Sequence, residues 1–344
     1  MRYWIAGLGL LLTMGQTALS APSSPSPSSQ QQPVVEPSSL PDPMQLMQNM
    51  QVAYHNLNYE LSYIRVRQGA VEPIRLFHAK IGSEEVVHRI YLNGPSRETV
   101  RRGDTVAFYQ FGRTPYSIKA KHLPGVFETL SDISLTQLEE NYDVLVAGKS
   151  RIAGRPAQVI RIVPRHEGLY GLYLWQDQET ALPLRVDTVD RHGNLVEQLM
   201  VVGILTYDQP TDWMKQLLNI TFPPVSQSES PKSSVSWQFD WKPQGMTLVS
   251  QDQHQLAITK QSVNYAKLSD GIFDVSVYVN PVTENTTLNG ELVRLGATSL
   301  HSIERDGLEI TVVGEIPPHT ASLIAESVRI LPDIGHNPEE KSHE

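Results

Sequence analysis

The first apolar run of the chain, Tyr3 to Thr17, contains no charged residue and follows Met1-Arg2. Ala18-Leu19-Ser20 then puts small residues at the two positions a signal peptidase reads. A positive start, a short apolar core and a small-residue site make the pattern of a secretory signal peptide. The core is too short to span a bilayer. Residues 1–20 are therefore expected to be a signal, cut after Ser20. Residues 21–41 are largely Pro, Ser and Gln with little to bury, so they read as a disordered tether.

Asp42-Pro43 opens a helix with an N-cap carboxylate and a proline in the first turn. Met44, Met47, Met50, Tyr54 and Leu57 follow at helical spacing and define one apolar face. From Asn58 the period changes to two, and Tyr59 to Val66 reads as a strand. Further strands are expected at Glu85 to Leu92, ending in the turn pair Asn93-Gly94, at Arg97 to Arg101 and at Asp104 to Phe111. Pro115 to Pro124 reads as irregular, and Ser134 to Glu140 as helical. A meander follows: Tyr142 to Gly148, Ala157 to Val163, Gly171 to Gln176, Leu184 to Asp190 and Leu195 to Tyr207. Turns are expected at Gly154-Arg155-Pro156 and at Arg191 to Asn194. Many antiparallel strands with few helices imply a strongly curved sheet or partial barrel covered on one side by a helix.

The segment 221–235, with Phe222-Pro223-Pro224 and a Ser-rich run, cannot build a core and reads as a linker. It separates a β-rich domain at 42–220 from a smaller α+β domain at 236–332. In the smaller domain strands are expected at Trp237 to Trp241, Gln255 to Thr259, Val263 to Leu268, Ile272 to Val279, Gly290 to Leu300 and Glu309 to Val313. A helix is expected at Ala321 to Val328, and residues 333–344 read as a disordered tail. The fold class is α+β, mainly antiparallel β.

Composition narrows the chemistry. There is no cysteine, which excludes a disulfide framework, a thiolate metal site and a cysteine nucleophile. Residues 42–220 hold 19 basic against 20 acidic residues, a balance of −1, whereas 235–344 holds 7 against 15, a balance of −8. An acidic second half argues against nucleic acid and fits a basic partner or plain solubility. The histidines are scattered, without His-Glu-x-x-His or His-x-His. His78 and His88 fall on neighbouring strands, within potential reach of each other, although satisfied or exposed histidines are the commoner case. Gly148-Lys149-Ser150 imitates the end of a phosphate loop. Asp143 stands where its first glycine belongs, and Arg151 to Gly154 reads as a turn and not a helix start. No Gly-x-Ser-x-Gly elbow is present in the mature chain. The residues point to a binding protein and not an enzyme, with no metal and no cofactor.

Two groups of residues are binding candidates. Arg97, Arg101 and Arg102 form a basic group beside a turn, suited to an anionic ligand, although a solvated strand end is the commoner case. Met47, Met50, Tyr54, Leu92, Phe108, Tyr173 and Trp175 are candidates for the lining of a lipid cavity. The methionine-rich helix suits either a plug on the sheet or an adaptable apolar lining. The strand at Tyr170 to Trp175 is apolar on both sides. That implies a strand covered on both faces or one facing a cavity.

Long segments spread along the chain resemble the RseB/MucB family of periplasmic regulators of the sigma-E envelope-stress factor. They include Leu57-Asn58-Tyr59-Glu60-Leu61-Ser62, Asn93 to Glu98 with Arg102-Gly103, Arg151 to Arg155, Leu182 to Asp187 and Leu195 to Gln198. In the second half they are Pro243-Gln244-Gly245, Ser269-Asp270-Gly271-Ile272-Phe273 and Val313 to Pro318. The resemblance implies a LolA/LolB-like half-open β-barrel with a helix lid and an apolar cavity, followed by a smaller partner-binding domain. It implies a soluble periplasmic protein that binds the periplasmic region of an anti-sigma factor (RseA or MucA) and shields it from the site-1 protease. Lipopolysaccharide or lipoprotein acyl chains would release it. Phe273 and Arg294 are candidates for partner contact, and the resemblance leaves room for a homo-oligomer. A lipid or lipoprotein carrier is the rival reading, since it would share the shape of the larger domain.

Overall fold

The computed structural model describes residues 40–225, 236–255, 262–282 and 292–331. The expected signal peptide and tether, most of the 221–235 linker and the 333–344 tail lie outside the described residues, as does nearly all of the strand expected at Gln255 to Thr259.

Helix α1 (Pro43–Asn56) starts where the pattern puts it. The Asp42 carboxylate accepts the Met44 N–H at 3.0 Å, and Pro43 stands in the first turn. Its inward face buries Met47, Met50, Ala53 and Tyr54, each large side chain contributing about 1.5–3 kcal/mol. Strands β1 (Asn58–Arg67), β2 (Ala70–Ile81), β3 (Glu84–Tyr91), β4 (Arg97–Arg102), β5 (Thr105–Gln110) and β6 (Tyr116–Lys119) then run as an antiparallel meander. Helices α2 (Val126–Asp132) and α3 (Leu135–Asn141) lead to β7 (Tyr142–Ile152), β8 (Arg155–Pro164), β9 (Gly171–Asp177), β10 (Pro183–Val189) and β11 (Leu195–Tyr207). The last of these pairs with β1. The product is one open sheet of 11 strands with β6 and β7 at its edges. It is not a closed barrel. Helix α1 packs against α2, α3 and the inner face of this sheet. On the outer face lie α4 (Asp212–Gln216) and a 3-10 turn, Leu217–Asn219.

The second half begins with β12 (Trp237–Phe239), followed by β13 (Thr247–Gln255), β14 (Ser262–Ser269), β15 (Asp274–Pro281), β16 (Leu292–Leu295), β17 (Thr298–Arg305) and β18 (Leu308–Glu315). Helix α5 (Pro318–Ser327) and β19 (Val328–Ile330) close it. The order β13-β14-β15-β18-β17-β16 makes an antiparallel sheet of 6 strands, and β12 pairs separately with β19. Ala266, Leu268, Val275, Val277, Ile310 and Val312 form a core with Ala321 and Ile324 of α5.

Four differences from the sequence pattern have physical causes. Strand β2 is absent from the pattern because Pro73 interrupts it. The Pro73 carbonyl accepts the Leu92 N–H at 2.9 Å on the β3 side, so its missing N–H faces that same side, opposite Leu92, which lies just past the end of β3 and is exposed to solvent. Strand β6 falls inside the segment read as irregular, because a short strand flanked by prolines carries too few alternations to register. The single strand expected at Gly290 to Leu300 is a hairpin, broken at Gly296 with φ +63°. The turn expected at Gly154-Arg155-Pro156 sits one residue earlier, with Ala153 and Gly154 at φ +49° and +78°, and Arg155 already begins β8.

A buried carboxylate joins the two sheets. Asp270 is fully buried in the β14–β15 turn, where it accepts the backbone N–H groups of Ile272 and Phe273 at 2.8 Å each. The Tyr142 hydroxyl at the start of β7 donates to the same carboxylate at 2.7 Å, and Asn141 Nδ2 donates to the Asp270 carbonyl at 2.9 Å. Burial pushes the Asp270 pKa up, and these donors offset part of that cost. Phe273 meets the Tyr170 ring edge-on at 6.0 Å, and Tyr170 donates to the Ile316 carbonyl at 3.2 Å.

A second polar cluster pins α1 to the sheet. His55 lies between Glu85 of β3 at 3.1 Å and Asp132 of α2 at 3.0 Å. The buried His78 of β2 bridges the Leu57 carbonyl at 2.7 Å and Glu85 at 3.0 Å, and Arg101 also donates to Glu85. The bonds from Asp132 and then Glu85 raise the His55 pKa from 6.5 to about 10, although burial opposes them. Burial works to raise the Glu85 pKa, but the donors His55 and His78 and the charge of Arg101 hold it well below the usual carboxylate range.

Two predictions follow from these clusters. Asp270→Ala leaves two backbone N–H groups and the Tyr142 hydroxyl unpaired in a buried junction. It should cost about 2–4 kcal/mol in urea unfolding, against about 1 kcal/mol for Tyr142→Phe. An alanine variant no weaker than the phenylalanine one would show that the junction does not depend on this carboxylate. The raised pKa of His55 contributes stability that is fully present below pH 6.5 and is lost as pH rises through about 10. The lowered pKa of Glu85 contributes stability above 4.5 that is lost as pH falls. Thermal melts should therefore decline from pH 6.5 toward 10, and His55→Asn should flatten that decline. Identical pH profiles for the two proteins would refute the assignment.

Candidate functional site

The interior beneath α1 is filled. Met47 and Met50 have no exposed surface and Tyr54 only 2%, and they pack on Tyr59, Leu61, Phe127, Leu130 and Leu174. Of the two readings of the methionine helix, the plug describes this arrangement. A cleft of about 410 Å³ lies farther along the same concave face, between the two sheets. One wall is the inner face of β5 and β6, with Val106, Phe108, Ile118 and Ala120, continued by His122, Pro124, Gly125 and Thr129 at the entry to α2. The other wall is the small sheet, with Ile272, Asp274, Ser276, Thr298, Val313, Gly314 and Glu315.

Strand alternation decides which candidates reach this cleft. Phe108 does, and it stacks on Tyr116 with ring centroids 5.0 Å apart. Leu92 does not line it: the residue follows β3 and is 49% exposed. Tyr173 and Trp175 do not line it either. Gln176 donates to the Leu46 carbonyl of α1 at 2.8 Å, so Leu172, Leu174 and Gln176 face inward and the two aromatics face outward. There Arg161 lies over Tyr173 at 5.6 Å and Arg185 over Trp175 at 4.3 Å. Both faces of β9 are covered, the outer one by guanidinium groups.

The three arginines do not form one patch, because alternation along β4 separates them. Arg97 and Arg101 point to the inner face, and Arg102 points outward. Arg97 pairs with Glu72 at 3.1 Å and lies over the Tyr91 ring at 3.5 Å. Arg101 is buried against Glu85. Arg102 donates to the carbonyls of Leu218 and Ile220 and lies over Phe222 at 4.5 Å. Each has a structural partner. His78 and His88 do not meet, because Phe77 is the residue opposite His88 and His78 opposes Val87. His88 faces outward, 2.8 Å from Glu98 and stacked near Trp213. Among the described residues no group of three His, Cys, Asp or Glu is placed to hold a metal ion.

The two partner-contact candidates differ. Phe273 is 1% exposed in the junction, so no outside partner reaches it in this arrangement. Arg294 is exposed on the edge strand β16, donating to the Gly296 carbonyl at 3.1 Å. The groups that alternation alone did not reveal are Glu315 and Glu197. Glu197 of β11 accepts the Ala297 N–H at 3.2 Å, so the β16–β17 turn rests on the large sheet. Glu315 is partly buried in the cleft wall. Burial first, then the charges of Glu197 and Asp274, raise its pKa from 4.5 to about 7. Its position in Val313-Gly314-Glu315-Ile316 was visible in sequence, but its surroundings come from two distant strands.

Comparison with known proteins agrees with this architecture. Residues 42–225 match the family model of the MucB/RseB N-terminal domain, and 231–329 match that of the MucB/RseB C-terminal domain. The sigma-E factor regulatory protein RseB of Salmonella typhimurium is 34% identical over 286 residues, covering 83% of this chain and 89% of that protein. The sigma factor AlgU regulatory protein MucB of Pseudomonas aeruginosa is 27% identical, covering 79% and 86%. A crystal structure of MucB in complex with MucA(peri) superposes with a TM-score of 0.64 at 26% identity, covering 84% of this chain and 99% of that one. The Pseudomonas aeruginosa MucA/MucB complex gives 0.67 at 24%, again covering 84% and 99%. With both halves matched in order by family models, this chain belongs to the MucB/RseB family.

Proposed function

We propose that this chain is a periplasmic negative regulator of a sigma-E-type envelope-stress response. It binds the periplasmic region of a membrane-spanning anti-sigma factor and shields it from site-1 proteolysis. A lipid or lipoprotein acyl chain relieves the shielding. The relatives named above are sigma-factor regulatory proteins, and MucB has been crystallised with MucA(peri). The structural observation that carries the reading is the cleft walled by both sheets. A ligand there contacts both halves at once, so its binding free energy depends on how the halves are arranged. That dependence is what links a ligand to a partner elsewhere on the surface. None of the described helices is long and apolar enough to cross a membrane, which fits a protein exported behind a cleaved signal.

The carrier reading uses the same concave face but assigns no role to the second half. A plug of Met47, Met50 and Tyr54 with at most 2% exposure also leaves a carrier little room beneath α1. The reading has a direct test. The full chain, mixed with a purified anti-sigma periplasmic region and its site-1 protease, should slow cleavage at least about tenfold at saturation, the factor that 1.4 kcal/mol of protection represents. Added lipopolysaccharide should restore cleavage. Unchanged cleavage with saturating protein would sink the regulatory reading.

A further inference from the structure

We infer that β6 works as a latch: an acyl chain entering the cleft frees the segment 222–225 from the edge of this strand. This rests on the lipid-sensing reading above and gives it a moving part. Two sets of contacts meet back to back on β6. Ile118 turns inward and lines the cleft, as does Ala120 just beyond the strand. Ser117 faces the other way and is fully buried. Its N–H donates to the Pro224 carbonyl at 3.2 Å and its hydroxyl to the Pro223 carbonyl at 2.9 Å. Val225 bridges the same residue in parallel. The chain just before this segment is anchored separately, on the outer face of the sheet. Leu217 packs with Val86 and Val100, and Arg102 donates to the Leu218 and Ile220 carbonyls and lies over Phe222 at 4.5 Å.

Of the strands that wall the cleft, β6 is the one built to yield. Opposite it, β15 and β18 are interior strands of the small sheet, which the Asp270 and Glu197 contacts fix to the large one. Strand β6 has four residues and a single strand partner, β5. An alkyl chain wedged against Ile118 and Ala120 presses β6 out of the plane it shares with Val225. The segment cannot follow, because Arg102 and Leu217 hold the chain before it to other strands. Hydrogen bonds are short-ranged, and about half an ångström more takes the Ser117–Pro224 contact out of bonding range. Beyond Val225 the chain runs to Trp237, the first residue of β12, so release moves the point from which it sets out for the second half. A latch that holds only in the empty form opposes the ligand, and the ligand opposes the latch by the same free energy.

The test is residue-resolved amide exchange on the full chain, with and without lipopolysaccharide. Antiparallel alternation gives two neighbouring amides different partners. The Ser117 N–H points to Pro224, and the Ile118 N–H points to β5. Lipopolysaccharide should speed exchange at Ser117 at least about tenfold while Ile118 stays within about twofold. This measurement needs no variant, so a folding defect cannot blur it. Ser117→Ala removes one of the two bonds and should bind lipopolysaccharide about threefold tighter than the parent chain. Lys119→Ala, on the same strand but paired with the exposed Asp104, should bind like the parent. Binding without any change at Ser117 overturns the latch and leaves lipid sensing standing. So does an Ile118 amide that speeds as much as Ser117, or a Ser117→Ala chain that binds no tighter than the parent. Lipopolysaccharide that does not bind the parent chain at all removes the lipid-sensing reading and the latch together.

Discussion

The inner face of the large sheet carries Tyr59, Leu61, Tyr63, Ile74, Leu76, Val106, Ile160, Leu172, Leu174 and Leu199, and an open sheet has no second sheet of its own to cover them. Leaving such a surface wet would forgo about 25 cal/mol for each Å² of apolar area. The chain covers it in two ways. Helices α1, α2 and α3 take the part near β1 and β7 to β11. The small sheet contributes Ile272, Phe273 and Ala297 to the same cluster, so the second half completes the core of the first. The polar contacts at Asp270, Tyr170 and Glu197 then orient a junction whose affinity is apolar. What remains uncovered is the cleft beside β5 and β6, where the two covers do not meet.

Much of this was legible in the order of residues, and the illegible part has a common cause. Helix α1 announced itself through Asp42-Pro43 and its methionine spacing, because caps and periodicity are local. Most strands of the meander could be read for the same reason. Strand β2 was hidden by Pro73, whose harmlessness depends on where the neighbouring β3 ends. The site was harder. Met47, Met50 and Tyr54 were correctly placed on the inward face of α1, but whether that face lines a cavity or fills it depends on Phe127 and Leu130, more than seventy residues away. The strand of Tyr173 and Trp175 is apolar on both sides, and its alternation does not say which side faces inward. The arginines of β4 looked contiguous, but a strand sends neighbours to opposite faces, and each found its own anion or carbonyl. Glu315 is inconspicuous in its own segment, because its character comes from Glu197 and Asp274 and not from its sequence neighbours.

The distribution of charge acquires a meaning it lacked as a count. Part of the acidic charge of the second half gathers on one side: Asp270, Asp274 and Glu315 turn toward the large sheet, where Glu197 adds another. Cations near this group are already engaged, Arg65 and Arg67 by Glu72 and Lys267 by Asp274. The junction therefore concentrates acidic groups beside the cleft.

The segment 222–225 has a further role. Ser117 of the edge strand β6 donates its N–H to the Pro224 carbonyl at 3.2 Å and its hydroxyl to the Pro223 carbonyl at 2.9 Å, and it forms a parallel bridge with Val225. An exposed sheet edge is a template on which a foreign chain can add itself, and here the protein's own chain occupies the place. The proline pair suits this, since it supplies acceptors without offering N–H groups for another strand to bind. A cut or local melting at 222–225 would thus bare a strand of the large sheet to intermolecular pairing, tying the integrity of this short segment to the solubility of the whole protein.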